Sequence, residues 1–270
     1  MKIKPLWKTV VLSAALLSLL LAGCQGGTSQ PETALDAYVN ALIEKDYVKA
    51  AEGISDFSLE FSGITREEAA NTLNAASTNE NVVVEHSIGE IRMVGSSLAI
   101  ATISLSTQYQ QNPVQKQETK VALMKEKGQW KVNWGNVLDE REITSSGQTV
   151  RKVTVQPVKM VRYVDRVQVH FNTKNDADMT VYWGFLNDPI GTLTYAGESA
   201  LKAVASPDSG NIEGPVFVES NAASELIIIT FFGMRSTAPA TLELTGWTVN
   251  PNGSSGADPS EVWSYSFDLK

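Results

Sequence analysis

Residues 128–134 read Gly-Gln-Trp-Lys-Val-Asn-Trp, and this stretch decides how the first half of the chain is interpreted. Lys127 and Gly128 predict a tight turn, and the residues from Gln129 to Trp134 predict a strand. The turn joins that strand to another predicted strand at residues 119–126. The stretch therefore closes an antiparallel hairpin.

Two helices are predicted before the strands. Ser29 and Glu32 have the spacing of a capping box, and apolar residues continue at helical spacing until Gly53, which is expected to end this helix. Thr65 and Glu68 form a second capping box, at the start of a helix expected to reach residue 77. The apolar stripe of the first helix consists of Leu35, Tyr38, Val39, Leu42, Ile43 and Val48.

From residue 82 onward, the spacing of the apolar residues changes from that of a helix to that of strands. Residues 82–94 and 98–109 are rich in branched apolar side chains, and with residues 119–126 and 129–134 they predict about four antiparallel strands. A sheet of this length with one solvated face needs the helices to cover its other face. The sequence therefore predicts an α+β unit.

This unit, with its helices first and its strands later, resembles the nuclear-transport-factor-2-like fold. More narrowly, it is similar to the small cone-shaped domain at the start of certain penicillin-binding proteins and of many lipoproteins of Gram-positive bacteria. In those proteins, too, the segment that anchors the chain to the membrane is followed by a helix with residues like Ala34, Tyr38 and Ala41. A strand like residues 128–134 closes their domain. The resemblance covers residues 31–138 and implies helices packed on a curved antiparallel sheet, in a domain that is not the catalytic one.

The second half of the chain predicts an all-β sandwich. Residues 139–149 are charged and then rich in serine and glycine, which indicates a linker. Residues 150–270 contain short candidate strands separated by Asn, Asp, Gly and Pro, which favours an Ig-like architecture, although the cysteine pair of immunoglobulin domains is absent. The candidate strands are residues 152–163, 166–171, 179–185, 199–205 (which could also be helical), 216–219, 226–232, 241–249 and 262–269.

The start of the chain predicts where the protein acts. Three lysines precede an apolar run from Val10 to Ala22, which is shorter than the roughly 20 residues of a membrane-spanning helix. The run ends in Leu21-Ala22-Gly23-Cys24, which resembles a bacterial lipobox and predicts a signal peptide at residues 1–23, lipidation of Cys24 and a tether at residues 24–30. A plain cleaved signal and an uncleaved anchor are the alternatives. The lipid-anchored protein would lie in the cell envelope, on the extracytoplasmic side of the membrane.

Charge and cysteine content exclude several kinds of function. Removal of residues 1–23 takes away three lysines and no acidic residue, so the net charge falls from −8 to −11. Such a charge disfavours nucleic acid as a partner. Once Cys24 is lipidated, the body has no cysteine for disulfides, thiolate metal sites or thiol chemistry. His86 and His170 alone make a poor metal site, and no metal or cofactor is expected.

A pocket inside the cone is the first candidate site. Tyr38, Tyr47, His86 and Tyr109, together with Asp36, are the polar residues that could face it. They could bind a ligand without chemistry, or they could perform acid–base chemistry if two of them converge on a substrate. Tyr38 also lies on the apolar stripe of the first helix, where a core role is the simpler interpretation.

Tyr182 and Trp183 are the candidates for a contact surface. They are adjacent in a predicted strand, so their side chains point to opposite faces and one of them faces outward or towards another element. Glycine- and proline-rich loops follow, where binding residues usually lie.

Two further motifs are interpreted as structural. Ser199-Ala200-Leu201-Lys202 matches the S-x-x-K pattern of penicillin-binding enzymes, but the partner motifs are missing after it. Residues 250–261 have the oxygen spacing of a calcium loop but carry Ser255 where glycine is required. A solvated turn explains that segment better.

The sequence therefore predicts a non-catalytic, membrane-anchored lipoprotein that acts as a binding or docking module, with an envelope protein or a wall polymer as its partner. Two other functions remain open. One is a carrier or sensor of a small apolar ligand in the cone, and the other is a hydrolase or isomerase. The sequence does not indicate the oligomeric state.

Overall fold

The computed structural model is mostly β, with several antiparallel sheets and a few helices. The chain divides into two compact units, with the boundary between Trp134 and Gly135. The residues that the structure describes are 30–78, 81–109, 112–183, 189–204, 212–213, 217–221, 224–235, 237–252 and 257–269.

The described part of the first unit begins with four helices: α1 (Pro31–Ile43), α2 (Tyr47–Glu52), α3 (Asp56–Ser62) and α4 (Arg66–Thr78). Helix α1 has Gln30 as its N-cap, without a side-chain cap, and Pro31 in its first turn. Proline fits there because its missing N–H would have no helical partner. Ser29, the predicted cap, lies outside the described residues.

The prediction of one helix from residue 30 to Gly53 is wrong, because the chain turns between α1 and α2. Lys45 has φ +61°. Its N–H donates to Leu42 O, and the N–H of Asp46 donates to Ala41 O at 2.9 Å. These bonds form a Schellman motif, with a lysine at the left-handed position that glycine usually takes. Asp46 then caps α2 by accepting from Lys49 N at 3.0 Å.

The predicted capping box at the start of α4 is confirmed. Thr65 N donates to Glu68 Oε2 at 2.7 Å, and Glu68 N donates to Thr65 Oγ1 at 3.2 Å. Helix α3 is capped by Ser55, whose Oγ accepts from Ser58 N at 3.1 Å, and also by Glu126 from a distant part of the chain, which accepts from Asp56 N and Phe57 N at 2.8 and 3.0 Å. An anion at this end stabilises the helix by pairing with its free N–H groups.

The sheet of the first unit contains β1 (Asn81–Met93), β2 (Leu98–Tyr109), β3 (Gln115–Glu126) and β4 (Gln129–Asn133), antiparallel and in that order. Two apolar clusters hold the unit together. The cluster between α1 and the sheet contains Leu35, Val39, Ala99, Ala101, Ile103, Leu123, Trp130 and Val132. The cluster among the shorter helices contains Ala51, Ile54, Leu59, Ala69 and Ala70.

The described strands of the second unit are β5 (Val137–Glu142), β6 (Gln148–Val150), β7 (Val153–Tyr163), β8 (Arg166–Asn175), β9 (Val181–Trp183), β10 (Pro189–Tyr195), β11 (Glu198–Val204), β12 (Ile212–Glu213), β13 (Phe217–Val218), β14 (Glu225–Phe232), β15 (Pro239–Thr248) and β16 (Trp263–Asp268). They form two six-stranded antiparallel sheets, and the segment 199–205, which the sequence left open between strand and helix, contributes to strand β11. The first sheet has the order β12-β14-β8-β7-β5, with β6 on β7, and the second has β11-β10-β15-β9-β13, with β16 on β15. One-turn 3₁₀ helices lie at Trp134–Asn136 and Pro259–Glu261.

Much of the predicted linker, residues 139–149, is strand. Strand β5 pairs with β7 through residue 142, and β6 begins at Gln148. The charges that suggested a linker form pairs across the strands: Asp139 lies 3.0 Å from Arg162, and Glu140 lies 2.6 Å from Lys159. Charged residues suit an edge strand because they keep other chains from pairing with it.

Side chains from both sheets form one core. Strand β16 alternates buried and exposed residues, as a strand with one buried face does. Gly191 of β10 is buried against Ile229 and Phe231 of β14, so the two sheets approach closely there. The large buried side chains of this core include Phe171, Trp183, Phe231, Trp247, Tyr265 and Phe267.

Candidate functional site

The predicted signal peptide and Cys24 lie outside the described residues, as does the predicted tether except for Gln30. Among the helices of the described ranges, none is long and apolar enough to cross a membrane.

His86 and Asp36 are brought together across α1 and β1. His86 Nε2 donates to Asp36 Oδ1 at 2.9 Å, and Asn40 Nδ2 donates to Asp36 Oδ2 at 3.0 Å. The His86 side chain is only 11% exposed, whereas that of Asp36 is 54% exposed. The pair therefore fastens the first helix to the first strand, with its carboxylate facing solvent.

Tyr38 packs against both apolar clusters of the first unit. Burial raises the pKa of Tyr38 to about 12, because the phenolate would lose its hydration. The side chain therefore keeps its proton at neutral pH. This is the core role that its place on the apolar stripe indicated.

Tyr109 lies at the end of β2 and is 48% exposed. It stands opposite Asn81, whereas His86 stands opposite Leu105. Four residues along a strand correspond to about 13 Å. Tyr109 is therefore well separated along the sheet from the His86–Asp36 pair.

Tyr47 lines a surface groove between α2 and α4, with a volume of about 550 Å³. Its hydroxyl donates to Ser77 Oγ at 2.5 Å, and Ser77 Oγ donates to Asn74 O at 2.8 Å. Tyr38, His86 and Tyr109 do not line this groove, so the four predicted pocket residues do not share it. The lining consists of Lys45, Asp46, Tyr47, Val48, Ala70, Asn71, Asn74 and Ser77.

Sequence reasoning missed Asn71, Asn74 and Ser77, which line the groove together with Tyr47. They lie on one stripe of α4, because residues three or four apart are neighbours on a helix. Two asparagines at this spacing in an alanine-rich helix were the available signal. The groove offers amides, a carboxylate, an ammonium group and hydroxyls, which are suited to hydrogen bonding with a ligand.

Tyr182 and Trp183 are the two predicted candidates for a contact surface, and the structure excludes Trp183 because its side chain is buried. It is 1% exposed, stacks on Trp247 with ring centroids 5.2 Å apart, and donates from Nε1 to Thr245 O at 2.9 Å. Tyr182 points to the other face and is half-buried. Its ring lies 6.4 Å from that of Phe217, which is 42% exposed. The outward aromatic pair is therefore Tyr182 and Phe217.

The S-x-x-K segment lies in strand β11. Residues three apart in a strand point to opposite faces, so Ser199 and Lys202 cannot act together. The oxygens of Ser199 accept from Arg235 instead: Nε donates to the carbonyl at 2.7 Å and Nη2 to the hydroxyl at 3.2 Å. The segment has a structural role here.

The acidic turns of the second unit use their side chains for local capping. Asp258 Oδ1 accepts from Ser260 N at 2.8 Å and from Ser260 Oγ at 2.6 Å, which lowers its pKa. Asn250 Oδ1 accepts from Asn252 N at 2.9 Å. Residues 253–256 lie outside the described part. Within that part, no three His, Cys, Asp or Glu side chains are placed to hold a metal ion.

A second cleft, of about 630 Å³, lies on the second unit beside β10 and β15. Gly246, with φ +80°, lies where the pairing of β15 with β16 shifts its register. The described lining is mostly aliphatic, proline and hydroxyl-bearing, with no charged side chain. It offers few groups that would orient a ligand.

Comparison with known proteins adds no assignment. No protein-family model matches the chain, and no curated protein matches it. The site must therefore be interpreted from its own residues.

Proposed function

We propose that this chain is an exported lipoprotein that acts as a non-catalytic docking module on the extracytoplasmic side of a bacterial membrane. The sequence Leu21-Ala22-Gly23-Cys24 carries the proposal, because small residues before a cysteine at the end of an apolar run are typical of lipoprotein signals. Each buried methylene of an acyl chain contributes about 0.8 kcal/mol, so two or more chains would hold the protein firmly.

In this proposal the first unit is a cone domain of the nuclear-transport-factor-2-like type, and the second is an Ig-like sandwich. In the described part of this unit, four helices precede a four-stranded antiparallel sheet, which supports the first assignment. The single core lined by two antiparallel sheets supports the second. The first unit would serve as a spacer or docking unit near the membrane, and the second would contact an envelope protein or a wall polymer.

The non-catalytic part of the proposal is supported by how the candidate acid–base groups are used. Tyr38 packs against the two apolar clusters, and Tyr47 lines a groove whose lining contains neither His86 nor Tyr109, so these groups do not converge on one pocket. The contact part is supported by the outward-facing pair of the half-buried Tyr182 and the exposed Phe217, since aromatic residues are enriched at interfaces.

The experiment that tests the anchor is replacement of Cys24 in a bacterial host that processes lipoproteins. The original chain and the control Gln25→Ala should fractionate with membranes and incorporate a labelled fatty acid. Cys24→Ala should take up no label, and it should either leave the membrane fraction or accumulate as an uncleaved precursor. A cleaved Cys24→Ala protein that stays on membranes would contradict the proposal.

A further inference from the structure

The groove between α2 and α4 points to a binding site for a neutral saccharide, and we propose it as such. The inference concerns a different surface from the Tyr182–Phe217 pair and does not depend on the lipid anchor. The groove volume, about 550 Å³, lies within the range of small-molecule sites, roughly 300–1,000 Å³. It is large enough for a short oligosaccharide.

The charges around the groove select a neutral ligand. Lys45 and Asp46 are the two charged residues of the lining, and they have opposite signs. The other polar residues are asparagine, serine and tyrosine, which are uncharged at neutral pH. A ligand with net charge would meet no excess of opposite charge here.

One wall of the groove is a row of amides on α4. Asn71 and Asn74 are exposed, and neither side chain has a hydrogen-bond partner among the described residues. A side-chain amide presents a carbonyl acceptor beside an NH₂ donor. Such a pair can bind two neighbouring hydroxyls of a sugar, one as donor and the other as acceptor.

The opposite wall combines a fixed hydroxyl with apolar surface. The Tyr47 hydroxyl donates to Ser77, so its oxygen remains available as an acceptor. Val48 is 67% exposed, because the turn at Lys45 separates α2 from the apolar stripe of α1. Val48 therefore offers an apolar surface, which suits the C–H face of a sugar ring.

A saccharide fits this arrangement better than a peptide. A peptide offers one backbone donor and one acceptor per residue, spaced about 3.3 Å along an extended chain. The amides of Asn71 and Asn74 stand about 4.5 Å apart along the α4 axis. In a sugar, neighbouring hydroxyls can pair with the amides of Asn71 and Asn74 while the apolar face of the ring lies on Val48. This pairing does not require a fixed spacing along an extended chain.

The test is calorimetric titration of the full chain in detergent micelles with three uncharged probes: chitotetraose, maltotetraose and a blocked tetra-alanine peptide. Chitotetraose is included because its N-acetyl groups can pair with asparagine amides. At least one of the two saccharides should bind. The Asn71→Ala/Asn74→Ala variant should weaken that binding at least tenfold, since a net hydrogen bond contributes about 1 kcal/mol and two amides are removed.

Thr72→Ala is the matched control, because Thr72 lies on the same helix, is absent from the groove lining, and uses its hydroxyl to donate to Glu68 O at 2.8 Å. It should change the affinity less than twofold. Alanine is a better helix former than asparagine, so the double variant should fold, which circular dichroism would verify. Failure of both saccharides to bind at about 10 mM, binding of the peptide alone, or an unchanged affinity in the double variant would overturn the proposal.

Discussion

Gly191→Ala tests the packing of the two sheets in the second unit. A Cβ atom at this position would lie 2.5 Å from Ile229 Cδ1 and 3.0 Å from Phe231 Cζ. Carbon atoms prefer separations of about 3.5–4.0 Å, so the side chains of the facing sheet must move by about 1 Å. The backbone of Gly191 does not have a positive φ, so the added methyl is the perturbation rather than backbone strain.

The size of the effect follows from opposing contributions. Overpacking a core costs about 1–3 kcal/mol. Burial of the added methyl stabilises the fold by about 0.8 kcal/mol. The lower conformational freedom of alanine in the unfolded chain stabilises it by a further 0.4–1 kcal/mol, roughly. The middle of these ranges gives a net loss of about 0.5 kcal/mol for Gly191→Ala, with an upper limit of about 1.8 kcal/mol. Ile229→Val, which removes the nearest carbon, should cost about 0.5–1.5 kcal/mol by itself.

The double variant gives the sharper result. The alanine methyl would occupy the space that the Ile229 Cδ1 atom leaves, so the combined loss should fall below the sum of the single losses by at least about 1 kcal/mol. The assay is urea unfolding, with the transition of the second unit fitted separately and its m-value unchanged. Additive losses, within about 0.5 kcal/mol, would show that Gly191 does not face Ile229 and would refute the packing described.

Two further predictions concern single side chains. Backbone and hydroxyl hydrogen bonds from Thr65 lower the pKa of Glu68, so this carboxylate stabilises the fold above its unfolded pKa and the contribution is lost as pH falls through the folded pKa. Thr65→Ala should therefore raise the Glu68 pKa towards its ordinary value in an NMR titration, and an unchanged value would argue against the capping box. Trp183→Ala should destabilise the chain by about 3–5 kcal/mol, whereas Tyr182→Ala should cost less than about 1 kcal/mol. Similar losses in thermal or urea unfolding would contradict the opposite burial of these two neighbours.

Features set by local chemistry could be predicted from the sequence. The Thr65–Glu68 box depends on residues three apart, and the turn at Lys127 and Gly128 depends on two adjacent residues with φ +51° and +85°. The alternation in β16 depends on residues two apart. Each of these signals lies within a few residues, where propensity and spacing act directly.

Features set by distant partners could not be predicted. The apolar period of the first helix continues past Lys45, and a lysine does not signal the left-handed conformation that ends α1. The charges of residues 139–142 suggested a linker because Arg162 and Lys159, which pair with two of them, lie some twenty residues further along the chain. Only the tertiary pairing distinguishes such a strand from a linker.

The candidate site shows the same division. Tyr47 was selected from the sequence as a pocket residue, but its neighbours Asn71 and Asn74 were not, because α2 and α4 meet only in the folded unit. Tyr38 was already open to a core interpretation from its spacing. His86 stands opposite Leu105, and Tyr109 lies about 13 Å further along the sheet. Nothing in the sequence indicated this separation.

The central claim, that a lipid on Cys24 anchors the protein, is tested most directly by mass spectrometry of the N-terminal peptide from protein purified out of membranes. A lipid-anchored protein should begin at Cys24 and carry the added mass of acyl chains on that residue. A chain that begins elsewhere, or that carries an unmodified Cys24, would contradict it.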